Sequence, residues 1–375
     1  VSDTNIELTS TISEDNKLKL ALRDIEIPQP GENQVVIRIE AAPINPSDLG
    51  VMFSAADMTT ASQSGSADRP VISADVPANF MSAVKMRVGK PISVGNEGAG
   101  TVVAAGSSAA AQSLMGKTVA VIGGGSYRKY LCTNVQSCLE LEPGTTAAEG
   151  ASSFVNPLTA LAMVETMRAE GHKAIVHAAA ASNLGQMLNR ICIADGIDLV
   201  NIVRKPEQET LLRDMGAKYV VNSSSDSFMT DLTEALIETG ATIAFDPIGG
   251  GRLASDILTC MEVAVSRNMT EYSVYGSDIY KQVYIYGGLD RGPIKLNRTF
   301  GFAWGVNGFL LFNVLEKLGK ETNNAMRKRI AAEIKTTFAS HYTHEVSLAG
   351  ALQLDAISVY RKQATGEKFL INPQS

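Results

Sequence analysis

The chain has 375 residues, of which 45% are hydrophobic and 19% charged, and a formal net charge of −6 at pH 7. This length suits two domains that bury sizeable cores without disulfides or metals, and the composition excludes a disordered chain. The acidic balance also excludes the broad basic field that binding a polyanion requires, so no nucleic acid is expected as a partner.

In chain order, residues 1–20 carry acids and hydroxyls where a signal peptide has a basic start and an apolar core. No stretch approaches the ~20 apolar residues of a membrane span, so a soluble cytoplasmic protein with no membrane partner is expected. From 1 to about 150 the pattern is strand-like: QVVIRIEA (34–41) alternates, and GTVVAAG (100–106) and KTVAVIGGG (117–125) are short β-branched runs bounded by glycine. Within this β-rich domain, residues 51–92 carry small polar residues and scattered prolines with no sustained period, which predicts a long loop, a lid or disorder.

From about 156 to 310, apolar runs alternate with helical patterns: AIVHAA, LGQMLNRICIADG, LVNIVR, EQETLLRDMGA, YVVN, DLTEALIETGA, IAFDPIGGG and QVYIYGG. Strand, helix, strand, helix is the pattern of a parallel sheet covered on both faces. Beyond 310 helices resume with FLLFNVLEKLG, and MRKRIAAEIKTTF sets Met326, Ile330, Ile334 and Phe338 four apart on one face. KFLIN (368–372) reads as a strand that returns to the first domain's sheet. The four cysteines, Cys132, Cys138, Cys192 and Cys260, match no C-x-x-C or usual zinc spacing and are expected as reduced thiols. His341 and His344 are expected at the surface on a helix end, His172 in a loop and His177 in the core; no metal is predicted.

One junction, KAIVHAAAASNLGQML (173–188), reads as a buried strand turning sharply into a helix, yet it is poor in glycine. In the dinucleotide fingerprint glycines serve a tight turn, close approach to the pyrophosphate and close helix packing. The phosphates themselves need unblocked N–H groups at a helix N-terminus, where the dipole favours negative charge. Here Ala178 to Ala181, Ser182 and Asn183 are small, asparagine tolerates left-handed backbone angles, and Gly185 keeps the helix-packing position. Ala180, Ser182, Asn183, Leu184 and Gly185 are therefore the expected phosphate-binding residues, with Ser182 and Asn183 adding side-chain donors. In such folds an acid about 20 residues on bonds the ribose 2′-OH, whereas a nearby arginine accommodates a 2′-phosphate. That interval (204 − 185 = 19) lands on Arg204, followed by Lys205, which points to NADPH as cofactor; the other reading is a solvated basic pair. AFDPIGGG and IYGGL (285–289) supply further strand ends and turns facing the cofactor.

The segments AAPINPSDLG (41–50), VGNEGAG (94–100), SSFVNPLTALAMVE (152–165), AAASNLGQ (179–186), DMGAKYVVN (214–222), FDPIGGG (245–251) and TGEKFLIN (365–372), in that order, resemble the medium-chain dehydrogenase/reductase superfamily. The similarity is to its zinc-independent quinone oxidoreductase and enoyl reductase branch. It implies an α/β protein: a GroES-like β-rich catalytic domain (1–155 and 311–375), a Rossmann doubly wound parallel sheet domain binding NADP (156–310), and an active site between them. Zinc-dependent members carry Cys, His, and Cys or Asp where this chain has Asn45, Asn96 and Asn156, and neutral amides do not replace thiolate and imidazole as zinc ligands. The resemblance further implies that Asn156, Thr159, Tyr286, Gly287, Phe302, Trp304 and Lys368 lie along the cofactor or the cleft mouth. It also implies a homodimer, with the Trp304 segment as a dimer contact.

Without zinc's Lewis acidity, alcohol oxidation is disfavoured. A quinone, or an alkene conjugated to a carbonyl, delocalises incoming charge onto a distant oxygen, so its reduction by NADPH needs mainly positioning and a modest hydrogen-bond donor. The candidate donors are Asn45 foremost, then Asn156 and Tyr127, in segments that approach the nicotinamide in the family. Asn45 has a second reading, an Asn before Pro bonding turn backbone. Two departures stand out: residues 51–92 exceed the loop of a simple quinone oxidoreductase, and no first-domain tyrosine matches the proton donor of mitochondrial-type enoyl reductases. The alternatives are a reductase of 2-enoyl thioesters, to which Lys85, Arg87 and Lys90 would be relevant, and an NADPH-binding sensor or structural protein without turnover.

Overall fold

The structure, a computed structural model, describes residues 4–267 and 269–375. It divides the chain into two units, one running to Val155 and resuming at Arg327, the other comprising Asn156–Met326. The second boundary falls later than 310 because it lies inside the helix Leu311–Glu333, where the apolar pattern does not change. That helix is interrupted only at Gly319, whose φ of 83° leaves helical geometry.

In the first unit, alternation along Gln34–Pro43 buries Val35, Ile37 and Ile39 while Arg38 points out. This strand pairs antiparallel with Glu97–Ala105, Tyr130–Asn134 and Phe369–Ile371, so KFLIN does return to the first sheet. A second antiparallel sheet is built on Asn5–Ile12 and Lys17–Ile25. Residues 51–92 form strands and short helical turns, not a structureless loop: Pro70–Asp75 pairs with Lys17–Ile25, and Asp57–Gly65 lies outside it. The outer strand, DMTTASQSG, is mostly exposed and packs only Met58 and Ala61, three residues apart, against the core, so it lacks the apolar alternation by which a half-buried strand is read. Met326, Ile330, Ile334 and Phe338 are all buried, as their spacing predicts. HYTH leads into the strand His344–Val346 instead of ending a helix.

The second unit holds a six-stranded parallel sheet, in the spatial order Tyr219–Asn222, Leu199–Val203, Ile175–Ala178, Ile243–Asp246, Lys281–Ile285 and Trp304–Gly308, and a separate parallel pair of Gly249–Gly251 with Asp290–Ile294. The chain runs outward from Ile175–Ala178 in one direction, then returns to its other side with Ile243–Asp246. The strand order therefore reverses between these two, and in open α/β sheets ligands bind outside the carboxyl ends at such a point. Buried Val176, Val200, Ala244 and Val283 line the sheet interior, with Leu232, Leu236, Ile257 and Met261 from the covering helices in the same core. No helix among the described residues is long and apolar enough to cross a membrane.

Candidate functional site

At the switch point, Ile175–Ala178 runs into the helix Asn183–Asp195 through Ala179 to Ser182. Ser182 is the N-cap: its Oγ accepts from the Gly185 N–H at 3.2 Å, leaving the hydroxyl hydrogen to donate elsewhere. The left-handed position falls on Ala179, with φ of 49°, and not on Asn183; an alanine there carries strain that glycine would avoid. The Ala180 N–H donates to the carbonyl of Ile202 at 3.1 Å, so Ala180 contributes small size to the turn but not a bare amide.

Gly185 does keep helix and turn in contact, since a Cβ there would lie 2.2 Å from the Ala180 carbonyl oxygen. Gly185→Ala is expected to destabilise the second unit by about 1–3 kcal/mol. Denaturant unfolding checks this, and an unchanged midpoint would show that the turn can give way. Leu199–Val203 ends immediately before Arg204, and both Arg204 and Lys205 are exposed at that strand end.

Three side chains gather at the carboxyl ends of neighbouring strands. Asp246 closes its strand, fully buried, accepting from the N–H groups of Ile248 (2.7 Å) and Gly249 (3.4 Å); burial raises its pKa against those donors. Tyr286 directly follows Lys281–Ile285, and its hydroxyl lies 2.8 Å from Nε2 of buried His177. Gly287 packs against Pro247, where a Cβ would meet the Pro247 oxygen at 2.5 Å. Phe302 and Trp304 are not brought here. Trp304 pairs with Lys281, the first residue of a parallel strand, so it stands at the amino end of the sheet, packed edge-on against Phe300, with Phe302 exposed beside it. Their expected place along the cofactor is corrected by strand direction. Asn156 and Thr159, both buried, lie three residues apart in the helix Val155–Ala169, hence on one face.

The first unit has its own polar cluster. Asn45 caps the helix Pro46–Phe53, with Pro46 at the first helical position, and its backbone N–H donates to Asp48 at 2.8 Å. The other Asp48 oxygen accepts from the Asn96 N–H at 2.8 Å, yet burial outweighs these donors and pushes the carboxyl up to about 7. The Asn45 side-chain N–H donates to Glu97 at 2.7 Å; Glu97 in turn accepts the N–H groups of Phe154 (2.8 Å) and Val155 (2.9 Å). Asn45 Oδ1 is buried without a partner. Asn45 thus stands at the helix start, but its side chain bonds Glu97 and not the turn backbone, and it keeps an unfilled acceptor. Asn96 donates to Ser47 at 3.0 Å.

Tyr127 is fully buried and its hydroxyl donates to the Pro43 carbonyl at 2.8 Å. The expectation that it offers a donor to substrate is corrected: the strands around Gly95 and Pro43 enclose it. Lys368 Nζ donates to Ser152 (2.8 Å) and Ser340 (3.4 Å), and desolvation lowers it to about 8 against the opposing charges of Glu97 and Asp48. Asp48 and Glu97 escaped the sequence reading, and His177, expected in the core and found there, was given no partner. The E of NEGAG and the D of NPSD were visible in the motifs, but nothing in them says that burial would unite both with Asn45.

Residues 31–151 match the alcohol dehydrogenase GroES-like domain. The chain is 27% identical over 285 residues to a mitochondrial enoyl-acyl-carrier-protein reductase of Xenopus tropicalis, covering 74% of this chain and 68% of that protein. It is 25% identical over 240 residues to prostaglandin reductase-3 of Mus musculus, covering 63% of this chain and 55% of that protein, so it spans little more than half the latter's length. A Mesorhizobium loti protein assigned as an NADPH:quinone reductase superposes with a TM-score of 0.73 at 26% identity, over 100% of this chain and 99% of that one. A GroES-like β-rich unit joined to a Rossmann-type parallel sheet defines an oxidoreductase fold. Residues 31–151 thus carry the alcohol dehydrogenase GroES-like domain, and the chain as a whole is similar to zinc-independent quinone and enoyl reductases of the medium-chain dehydrogenase/reductase superfamily.

Proposed function

We propose that this protein is an NADPH-dependent oxidoreductase that reduces quinones or other conjugated carbonyl compounds without zinc. The observation that carries the reading is the switch-point turn with Arg204 and Lys205 at the end of the adjoining strand, a placement suited to a pyrophosphate and a 2′-phosphate. The residues present fit this cofactor: Gly185 lets the helix N-terminus press against the turn, and the turn itself is lined by small side chains. When bound, NADPH supplies a hydride.

In this reading Ser182, Asn183 and Leu184 hold the pyrophosphate at the helix start. Arg204 and Lys205 hold the 2′-phosphate, and Tyr286, Gly287, Asn156 and Thr159 border the nicotinamide end. Within the first unit, Asn45 offers a side-chain amide and Lys368 a buried positive charge. The Asn45, Asn96 and Asn156 amides replace the family's zinc ligands, which favours an electron-poor acceptor over an alcohol. The strand Trp304–Gly308 is the sheet edge, and a second copy pairing there would make a homodimer.

Similarity to the frog enoyl reductase favours a second reading, reduction of 2-enoyl thioesters. Consumption of NADPH measured against quinones, enones and 2-enoyl thioesters decides between them. Turnover with at least one of the first two classes is expected. Turnover confined to thioesters selects the second reading, tight NADPH binding with no consumption selects a sensor, and no NADPH binding defeats the proposal.

A further inference from the structure

His177 is the penultimate residue of Ile175–Ala178, Tyr286 follows Lys281–Ile285, and the strand ending in Asp246 lies between them, so the pair sits at the switch point. Their rings stack at 5.9 Å and 18°, with His177 Nε2 2.8 Å from the Tyr286 hydroxyl. His177 Nδ1 is buried with no partner. Desolvation lowers the imidazole to about 3, so the ring is neutral and carries a single N–H.

That proton has two possible seats. On Nδ1 it would be an orphaned buried N–H, which folded proteins rarely contain; on Nε2 it leaves only an unfilled lone pair, which they tolerate better. The Nε2–H tautomer makes Tyr286 the acceptor of this bond, so the phenolic hydrogen is not spent on His177. Burial first, and the charge of Asp246 second, raise the phenol well above its ordinary range and keep that hydrogen in place.

We propose that His177 is a positioning residue that holds Tyr286 as a hydrogen-bond donor at the switch point, directed to a carbonyl oxygen of the bound ligand. The inference rests on the NADPH reading for the identity of that ligand, and the carbonyl is either the cofactor's carboxamide or the substrate's conjugated carbonyl.

The tautomer is testable without any ligand. In the full chain labelled with nitrogen-15 histidine, four imidazoles are present, and His177→Gln identifies the His177 signals by their loss. The Nε2–H form is expected, unchanged from about pH 6 to 8; the Nδ1–H form would overturn the proposal. Titration with NADPH and steady-state kinetics then locate the carbonyl. Tyr286→Phe and His177→Leu are each expected to weaken one ligand by about 3- to 15-fold, the size of one neutral hydrogen bond. His177→Gln, whose amide nitrogen reaches the place of Nε2 and still donates, should recover most of that loss; if the leucine variant does not fold, near-wild-type affinity of the glutamine variant beside weakened Tyr286→Phe carries the test. A weaker NADPH Kd without substrate assigns the carboxamide; an unchanged Kd with altered kcat/KM assigns the substrate. Tyr286→Phe equal to wild type in both measurements overturns the proposal. A wild-type chain that binds no NADPH defeats the cofactor reading instead, and the tautomer then decides by itself whether the hydroxyl is freed.

Discussion

Lys281→Ala is expected to destabilise the second unit by about 3–5 kcal/mol, lowering its unfolding temperature by roughly 6–20 °C for a unit of this size. Lys281 opens the strand Lys281–Ile285 and is fully buried, with three acceptors around its ammonium: Glu262 at 2.6 Å, Ser277 Oγ at 3.0 Å and the Ile279 carbonyl at 2.9 Å. Glu262 also accepts from the Ser277 N–H and O–H, both at 2.7 Å. Burial pushes the Glu262 carboxyl up, but the Lys281 and Ser277 donors together outweigh it and hold the group below its ordinary value.

Removing the ammonium leaves this carboxylate buried and uncompensated, which costs more than the pair contributes when intact. A depressed folded-state pKa gives stability that is present above the unfolded carboxyl range and lost as pH falls through the folded value, so the gap between variant and wild type should narrow in acid. Replacing both partners, Lys281→Met with Glu262→Leu, should recover most of the loss. Calorimetry on wild type, Lys281→Ala and the double variant provides the check; Lys281→Ala within about 1 kcal/mol of wild type would show that the pair is not the anchor of that strand.

Arg204→Ala is expected to weaken NADPH binding by about 10- to 100-fold while changing NADH by less than about threefold, because a charge-assisted bond to the 2′-phosphate is lost and NADH has no such group. Arg204 stands one residue past Leu199–Val203, with its backbone N–H held by Gln208 Oε1 at 3.0 Å. Lys205 is 3.9 Å from Glu207 and exposed, and it is expected to provide the lesser part of the discrimination. Arg204→Lys should restore only part of the affinity, since an ammonium supplies charge but not the planar fork. Fluorescence titration with both coenzymes measures the ratio, and equal losses would remove Arg204 from the site.

Much of the fold was legible because it is written in short-range patterns. Apolar runs such as AIVHAA and LVNIVR are buried on both faces of a parallel sheet, and Gly185 occupies the position where a Cβ would strike Ala180. The hairpin within 51–92 was not legible, because its edge strand turns only Met58 and Ala61 to the core, at a spacing of three that breaks the alternation. Phe302 and Trp304 were misplaced for another reason: their distance along the chain from Tyr286 says nothing about which end of a parallel strand they occupy.

By itself, then, the sequence determined the fold class, the turn of small residues and the cation at the neighbouring strand end, all of which depend on residues within about one strand or helix of each other. Only the tertiary structure decided that Asn45 spans two buried carboxylates, that Tyr127 is enclosed, and that His177 meets Tyr286 across 109 residues. The physical reason is that such partners are set by strand order and burial, and these are properties of the assembled core that no local period encodes.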